Sequence, residues 1–334
     1  MEPLDRVIQR RGYLEDTPAL QPMDYITDSP SVSMETDFTG GYTASPLLIQ
    51  RSWQEIQAEL PHWQLRPDFW RQYQLVNQLG SGSFGSAYEV LDTNTKKRLV
   101  LKIFRQKPSS DTEFQVLRQL STFCPGFGFP EQHGLYIVPN PDSESKPSYA
   151  LLMDWIPGKP ADEQGFTEQE VLIIGRQLLA QLQCYHQAGL VHGDIKPDNI
   201  LVDKDGPLKA TLIDYGSTCS MEGLQRKLQS VIQCTGCLGG HSDFWAPEID
   251  LYRVRFGPTA TPSSDLWALG LTLWLMAHPG DRLNNKIAQV NAIKTAPDSP
   301  LNNLIRSMIN EAPAKRPTPN SLIESIDSSL EFSK

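Results

Sequence analysis

Between Leu190 and Gly216 the chain reads LVHGDIKPDNILVDKDGPLKATLIDYG, and three side chains there could act on a phosphate or its counter-ion: Asp194, Asn199 and Asp214. Lys196 follows the first acid by two positions. A carboxylate that accepts a proton, an amide and a second carboxylate that hold hard cations, and an ammonium for phosphate together suit phosphoryl transfer. That chemistry depends on positioning and charge neutralisation more than on covalent catalysis. Two apolar runs, Ile200 to Val202 and Ala210 to Ile213, flank a polar turn at Asp203–Gly206. They predict two short strands joined by a tight turn, which would hold the polar groups on one surface.

HGDIKPDN followed by DYG resembles the catalytic and metal-binding loops of eukaryotic-type protein kinases, whose usual forms are HRDLKxxN and DFG. A bare Asp-x-Lys would mean little; here the order and spacing of several polar groups hold together. The resemblance implies an α+β, two-lobed protein kinase fold, with a small antiparallel β-sheet lobe carrying one helix and a larger, mainly helical lobe. It implies ATP and Mg²⁺ as cofactors and a protein with a Ser or Thr acceptor as substrate. Asp194 would then orient the substrate hydroxyl and take its proton, and Lys196 would neutralise the transferred group. Asn199 and Asp214 would hold Mg²⁺.

The elements that must position these groups begin at Tyr73. YQLVNQLGSGSFGSAYEVLD alternates as a strand, opens at Gly80, Gly82 and Gly85, and resumes as a strand. A glycine-rich turn between strands lets backbone N–H groups approach phosphates. A dinucleotide-binding turn with the same letters would lead into a helix, whereas Ala87–Leu91 reads as strand. The strand RLVLKIF places Lys102 where kinases carry the lysine that meets ATP phosphates, and the helical EFQVLRQL places Glu113 where its partner stands. Tyr136–Val138 and Tyr149–Met153 read as strands around a polar loop from Asn140 to Ser148. By resemblance the second strand enters the hinge, with Met153 behind adenine and backbone groups of Asp154 to Ile156 facing it. Ala87 and Val100 depart from the family's valine and alanine at positions near the purine. Bulk lost at one and gained at the other would roughly offset if both face the nucleotide.

Downstream, Thr167 and Glu170 form a capping-box pattern ahead of an apolar-periodic helix to Ala188, and Gly189 marks its stop. FWAPE matches the APE motif through Glu248, and SDLWALG resembles the buried helix beneath the catalytic loop. AKRPT places Arg316 where kinases pair an arginine with the APE glutamate. Further helices are expected near Asn284–Ile293, Leu301–Ile309 and Ser321–Leu330. Gly193 stands where the family commonly has an arginine that reads an activation-loop phosphate, which implies activity without that phosphate. His241 stands in place of a threonine of the peptide-docking floor. Within the activation segment, Ser217 to Asp243, a short helix is expected at Leu224–Ile232. Cys234 and Cys237, with Cys219 and His241 nearby, invite a zinc reading but lack a second CxxC or CxxH pair, so loop thiols are the default.

The domains expected are a polar, disordered N-terminal arm over 1–50, an aromatic-rich extension over 51–72, and a kinase domain over 73–331. Within the last, the small lobe covers 73–154 and the large lobe 158–331. The arm could instead dock, target or be phosphorylated at Ser29, Ser31 or Ser33; a solvated tail is the plainer reading. A short helix is expected near Ser52–Glu59, and Trp53, Trp63 and Trp70 would pack on the domain that follows. The chain has 334 residues, 39% of them hydrophobic, enough for a substantial core. A net charge of −9 argues against nucleic-acid or anionic-membrane binding by bulk electrostatics, and no apolar run is long enough to span a bilayer. Five scattered cysteines predict unpaired thiols in a reducing, cytoplasmic setting. The polar arm and the family departures would also suit a bacterial or pathogen-encoded enzyme delivered into host cells. Two alternatives compete with a Ser/Thr protein kinase: a small-molecule phosphotransferase of the aminoglycoside or choline kinase type, which shares HGD, and an inactive kinase-shaped binding module.

Overall fold

The computed structural model describes residues 64–82, 85–104, 107–141, 143–220, 241–249, 260–281 and 286–331. The arm over 1–50, the helix near Ser52–Glu59, Trp53 and Trp63, the helix at Leu224–Ile232 and the Cys234–Cys237 pair lie outside the described residues.

The two-lobed α+β architecture is the one the chain adopts. In the small lobe β1 (Gln64–Leu65), β2 (Tyr73–Ser81), β3 (Gly85–Asp92), β4 (Arg98–Phe104), β5 (Gln132–Asn140) and β6 (Ser143–Asp154) form one sheet in the order β1-β5-β6-β4-β3-β2. The strands from Tyr73 onward pair antiparallel throughout, as expected, and the two-residue β1 of the extension adds a parallel edge on β5. The one helix expected within 73–154 is present, and a short helix precedes it in the extension: α1 (Phe69–Gln72) and α2 (Lys107–Phe123). α2 begins earlier than the apolar pattern around Glu113 suggests. Its polar first turn offers no periodic signal, and Pro108 is compatible with a first helical turn.

Alternation along the strands gives the sheet two apolar faces. Tyr88, Val90, Leu99, Leu101 and Leu152 bury the outer face under Phe69 and Tyr73, whose rings stack at 4.4 Å. Trp70 joins them and donates its indole N–H to the Pro139 carbonyl at 2.9 Å. The polar loop expected from Asn140 to Ser148 is instead mostly strand, since β5 and β6 stay paired as far as Asn140 opposite Ser143.

The large lobe is built on α3 (Glu168–Gln187), whose Thr167 cap and Glu170 form a complete capping box. Gly189 follows with φ +75°, a left-handed stop. Leu172, Leu178 and Leu182 of α3 pack with Trp267 and Leu271 of α4 (Pro262–Ala277), which Thr261 caps in the same manner. Helices α5 (Lys286–Thr295), α6 (Pro300–Met308) and α7 (Pro319–Glu331) complete the lobe. Two small sheets bear the loops of interest: β7 (Lys159–Pro160), β9 (Ile200–Asp203) and β10 (Lys209–Leu212), and β8 (Leu190–Val191) with β11 (Cys219–Ser220).

One sequence expectation is overturned among the cysteines. Cys124 and Cys184, which the odd count left unpaired, form a disulfide. Sixty positions separate them, and only the packing of α2 against α3 brings their Cα atoms to 5.8 Å, a span a disulfide bridges.

Candidate active site

Pairing of β3 with β4 sets Ala87 opposite Lys102, and pairing of β4 with β6 sets Val100 opposite Met153. Strand residues two apart share a face. Ala87, Val100, Lys102 and Met153 therefore occupy one face, opposite the outer core. Ala87 and Val100 are diagonal neighbours there, as the compensating-bulk reading requires. The glycine-rich turn closes through the Gly82 N–H on the Gly85 carbonyl at 2.8 Å. A β-carbon at Gly85 would stand 2.0 Å from the Ile103 carbonyl oxygen, so this position admits only glycine. A β-carbon at Gly80 or Gly82 would meet nothing within 4 Å.

Lys102 reaches Glu113, its expected partner, and Asp214 as well. Its ammonium lies 2.8 Å from Glu113 Oε2 and 2.7 Å from Asp214 Oδ1. Burial opposes the charge on Lys102, but the two carboxylates outweigh it and hold the ammonium protonated above its ordinary range. One cation cannot fully satisfy two anions in a dry setting. Glu113, 1% exposed, is pushed up by burial; Asp214, 31% exposed, is drawn below the usual carboxylate range because Lys102's charge and hydrogen bond outweigh desolvation. Asp214 itself has φ +64°, a left-handed conformation that a short polar side chain tolerates.

The loop after β8 gathers the second group. Asn199 donates to the Asp194 carbonyl at 2.8 Å and to Asp194 Oδ2 at 2.9 Å, and Lys196 lies 3.5 Å from the same Oδ2. The other oxygen, Oδ1, accepts the backbone N–H of His241 at 3.0 Å. Both oxygens of Asp194 are thus oriented by neighbours. The Asn199 carbonyl accepts the Ile213 N–H at 2.9 Å, which fixes this loop to the one bearing Asp214. With both amide hydrogens of Asn199 engaged and Asp214 Oδ1 on Lys102, each keeps an oxygen for another ligand. Hard oxygen donors of this kind suit Mg²⁺.

Beneath the loop, Asp265 of α4 accepts the N–H groups of His192 and Gly193, each at 2.9 Å, and the His186 ring at 2.9 Å. Gly193 has φ +79°, and a β-carbon there would stand 2.9 Å from the Ser217 carbonyl oxygen. His192 is fully buried, and burial draws its pKa below the ordinary imidazole value against the pull of nearby carboxylates. Its Nδ1 accepts from the Asp194 N–H at 3.3 Å, and the rings of Tyr185 and Tyr215 flank it at 5.7 and 5.9 Å. The Tyr215 hydroxyl finds its partner in the Leu212 carbonyl at 2.6 Å. Arg316, its side chain wholly buried, forks onto Glu248 at 2.6 and 2.8 Å and donates to the carbonyls of Ser263 and Asn310.

Asp154, at the end of β6, donates its N–H to the Glu131 carbonyl at 2.9 Å. Its side chain turns to Lys97 and His133, each at 2.7 Å. Ile156 follows, half-buried, beside Trp155, whose ring carries the Arg98 guanidinium at 3.6 Å.

Sequence reasoning missed two glutamines. Gln177 and Gln181 of α3 bond the free edge of β10: Gln177 accepts from the Ala210 N–H and donates to the Leu208 carbonyl, and Gln181 accepts from the Leu212 N–H and donates to the Ala210 carbonyl. Four helical residues rise about 6 Å and two strand residues about 6.8 Å, so amides at i and i+4 match alternate residues of a strand. An i, i+4 pair of amides on the buried side of a helix that precedes a strand was the available signal.

The family model described as "Protein kinase domain" matches residues 73–326. Among curated proteins the chain is 28% identical to a probable myosin light chain kinase of Dictyostelium discoideum, over 61% of this chain and 62% of that protein. It is 26% identical to serine/threonine-protein kinase 10 of Danio rerio, over 77% of this chain and 26% of that protein. With the serine/threonine-protein kinase Nek6 of Oryza sativa subsp. japonica it shares 28% identity, over 75% of this chain and 47% of that protein. The matched region thus spans from a quarter to about three-fifths of these relatives' own lengths.

Proposed function

The chain belongs to the protein kinase family, and from that premise we propose that it transfers the γ-phosphoryl group of ATP to serine or threonine hydroxyls of a protein. The observation that carries this reading is the meeting of Lys102 with Asp214 at 2.7 Å across 112 residues of sequence, beside an Asp194 oriented on both oxygens. In this reading the Lys102 ammonium, held by Glu113, docks on the nucleotide's phosphates, and the N–H groups of the glycine turn cover them. Asn199 and Asp214 hold Mg²⁺, which when bound neutralises charge on the phosphate oxygens. Asp194 orients the acceptor hydroxyl and takes its proton as the O–P bond forms, while Lys196 offsets charge on the group in transit.

The Arg316–Glu248 fork, which fixes the segment after the acceptor site, favours a protein acceptor over a metabolite. Gly193 supports turnover without a phosphorylated activation loop, because no arginine is available there to read the phosphate. Complete dependence on a phosphorylated Ser or Thr between Ser217 and Ser242 would overturn that part.

The test incubates purified protein with Mg²⁺, labelled ATP and mixed protein acceptors, with Asp194→Asn and Lys102→Met as controls. Label on serine or threonine, lost in both variants, is expected. Label only on small molecules would support a metabolite kinase, and label on neither an inactive binding module.

A further inference from the structure

Cys124 directly follows α2, the helix that carries Glu113, and Cys184 lies in the last turn of α3. Their bond therefore fastens the ion-pair helix of the small lobe to the large lobe. Around it Leu117 and Leu120 of α2, Tyr185 of α3 and Tyr215 beside Asp214 form one buried cluster, and Gln119 donates to the Ala188 carbonyl alongside. Phosphoryl transfer has no use for sulfur, yet this sulfur pair sits on the seam that sets where Glu113, and hence Lys102, can stand.

We propose that Cys124–Cys184 is a redox-controlled clasp: the disulfide holds α2 with Glu113 on Lys102, and reduction loosens the helix and weakens nucleotide use. This rests on the kinase reading for its effect on turnover, though not for its effect on the helix. The exchange partner is a low-molecular-weight thiol. Its thiolate attacks one sulfur of the pair and expels the other as thiolate; a second such thiolate then attacks the small-molecule sulfur of that mixed disulfide, expels the protein's other cysteine as thiolate, and leaves joined to the first small thiol as a small disulfide. Two electrons and two protons pass to the protein, and a small disulfide returns it to the bonded state by the reverse steps.

Cys124 and Cys184 are 3% and 9% exposed, so a reductant reaches the bond only when the end of α2 lifts from α3. Binding is reciprocal: if the clasp favours nucleotide binding, nucleotide must favour the clasp. Mg·ATP should therefore slow reduction as well as bind more tightly to the bonded form.

The experiment compares the full chain before and after a small-molecule reductant, with Cys124 and Cys184 read by alkylation and peptide mass. KM for ATP is expected to rise about fivefold on reduction with a smaller change in kcat, and to return on reoxidation. The double variant Cys124→Ser, Cys184→Ser should match the reduced protein and ignore reductant, which separates this pair from the remaining cysteines. Equal KM and kcat in two states that the mass data show to differ would overturn the proposal, as would alkylation of both thiols in protein never treated with reductant. If no state transfers phosphate to any acceptor, the kinase reading fails instead, and hydrogen exchange across 107–123 decides the clasp. Faster exchange there after reduction supports it, and unchanged exchange overturns it.

Discussion

Replacing Gln181 by methionine removes two hydrogen bonds while keeping the length and most of the volume of the side chain. The groups it strands are the Ala210 carbonyl and the Leu212 N–H, on residues each 1% exposed. An orphaned buried backbone group costs about 1–3 kcal/mol, so Gln181→Met, which strands two, should lose about 2–6 kcal/mol of stability. Gln177→Met strands one group on buried Ala210 and one on half-buried Leu208, where water can step in, and should lose about 1–3 kcal/mol. With a urea dependence of about 3 kcal/mol per molar, a loss of about 3 kcal/mol moves the unfolding midpoint by about 1 M. β10 ends at Leu212, two residues before Asp214, so the same variant should also lower turnover below the point set by unfolding alone. Urea titrations of both variants, followed by tryptophan fluorescence, are the assay. A loss below about 1 kcal/mol for Gln181→Met, or equal losses for the two glutamines, would refute the reasoning.

Glu248→Gln should cost about 3–5 kcal/mol, because it leaves the buried Arg316 without its counter-charge. Adding Arg316→Met should recover part of that loss in the same denaturation assay, and strict additivity would contradict it. Ala87→Val should overpack the face shared with Val100 and Met153 and weaken ATP binding about tenfold, or about 1.4 kcal/mol, by calorimetry. Unchanged affinity would count against the compensating-bulk reading. For pH, the sign follows from Asp214, whose folded pKa lies below its ordinary 3.8. Its contribution is present above about pH 4 and lost as pH falls through the folded value. The acid limb of a stability curve should therefore be shallower in Asp214→Asn, and an identical limb would be a contrary result.

The catalytic stretch was legible because its chemistry demands several polar residues at set spacings, which chance seldom supplies. Helix α3 was legible because Thr167, Glu170 and Gly189 mark both of its ends locally. What the sequence hid depends on contacts between distant segments. Nothing in five scattered cysteines says that α2 will end beside α3, so the Cys124–Cys184 bond could not be read from the count. Glutamine on a helix is usually a solvated residue, and only the edge of β10 turns Gln181 into a structural one. The hydrogen bond from the Asp154 N–H to the Glu131 carbonyl likewise joins segments that no local pattern links.

Nucleotide binding as a function of Mg²⁺ tests the central claim most directly. A fluorescent ATP analogue titrated against wild type, Lys102→Met, Asn199→Ala and Asp214→Asn reads whether the residues from both lobes act on one ligand. The account predicts tight binding that requires Mg²⁺ in wild type, with that requirement blunted by either Asn199→Ala or Asp214→Asn and affinity lowered by Lys102→Met. Binding that ignores Mg²⁺, or that none of the three substitutions alters, would contradict it.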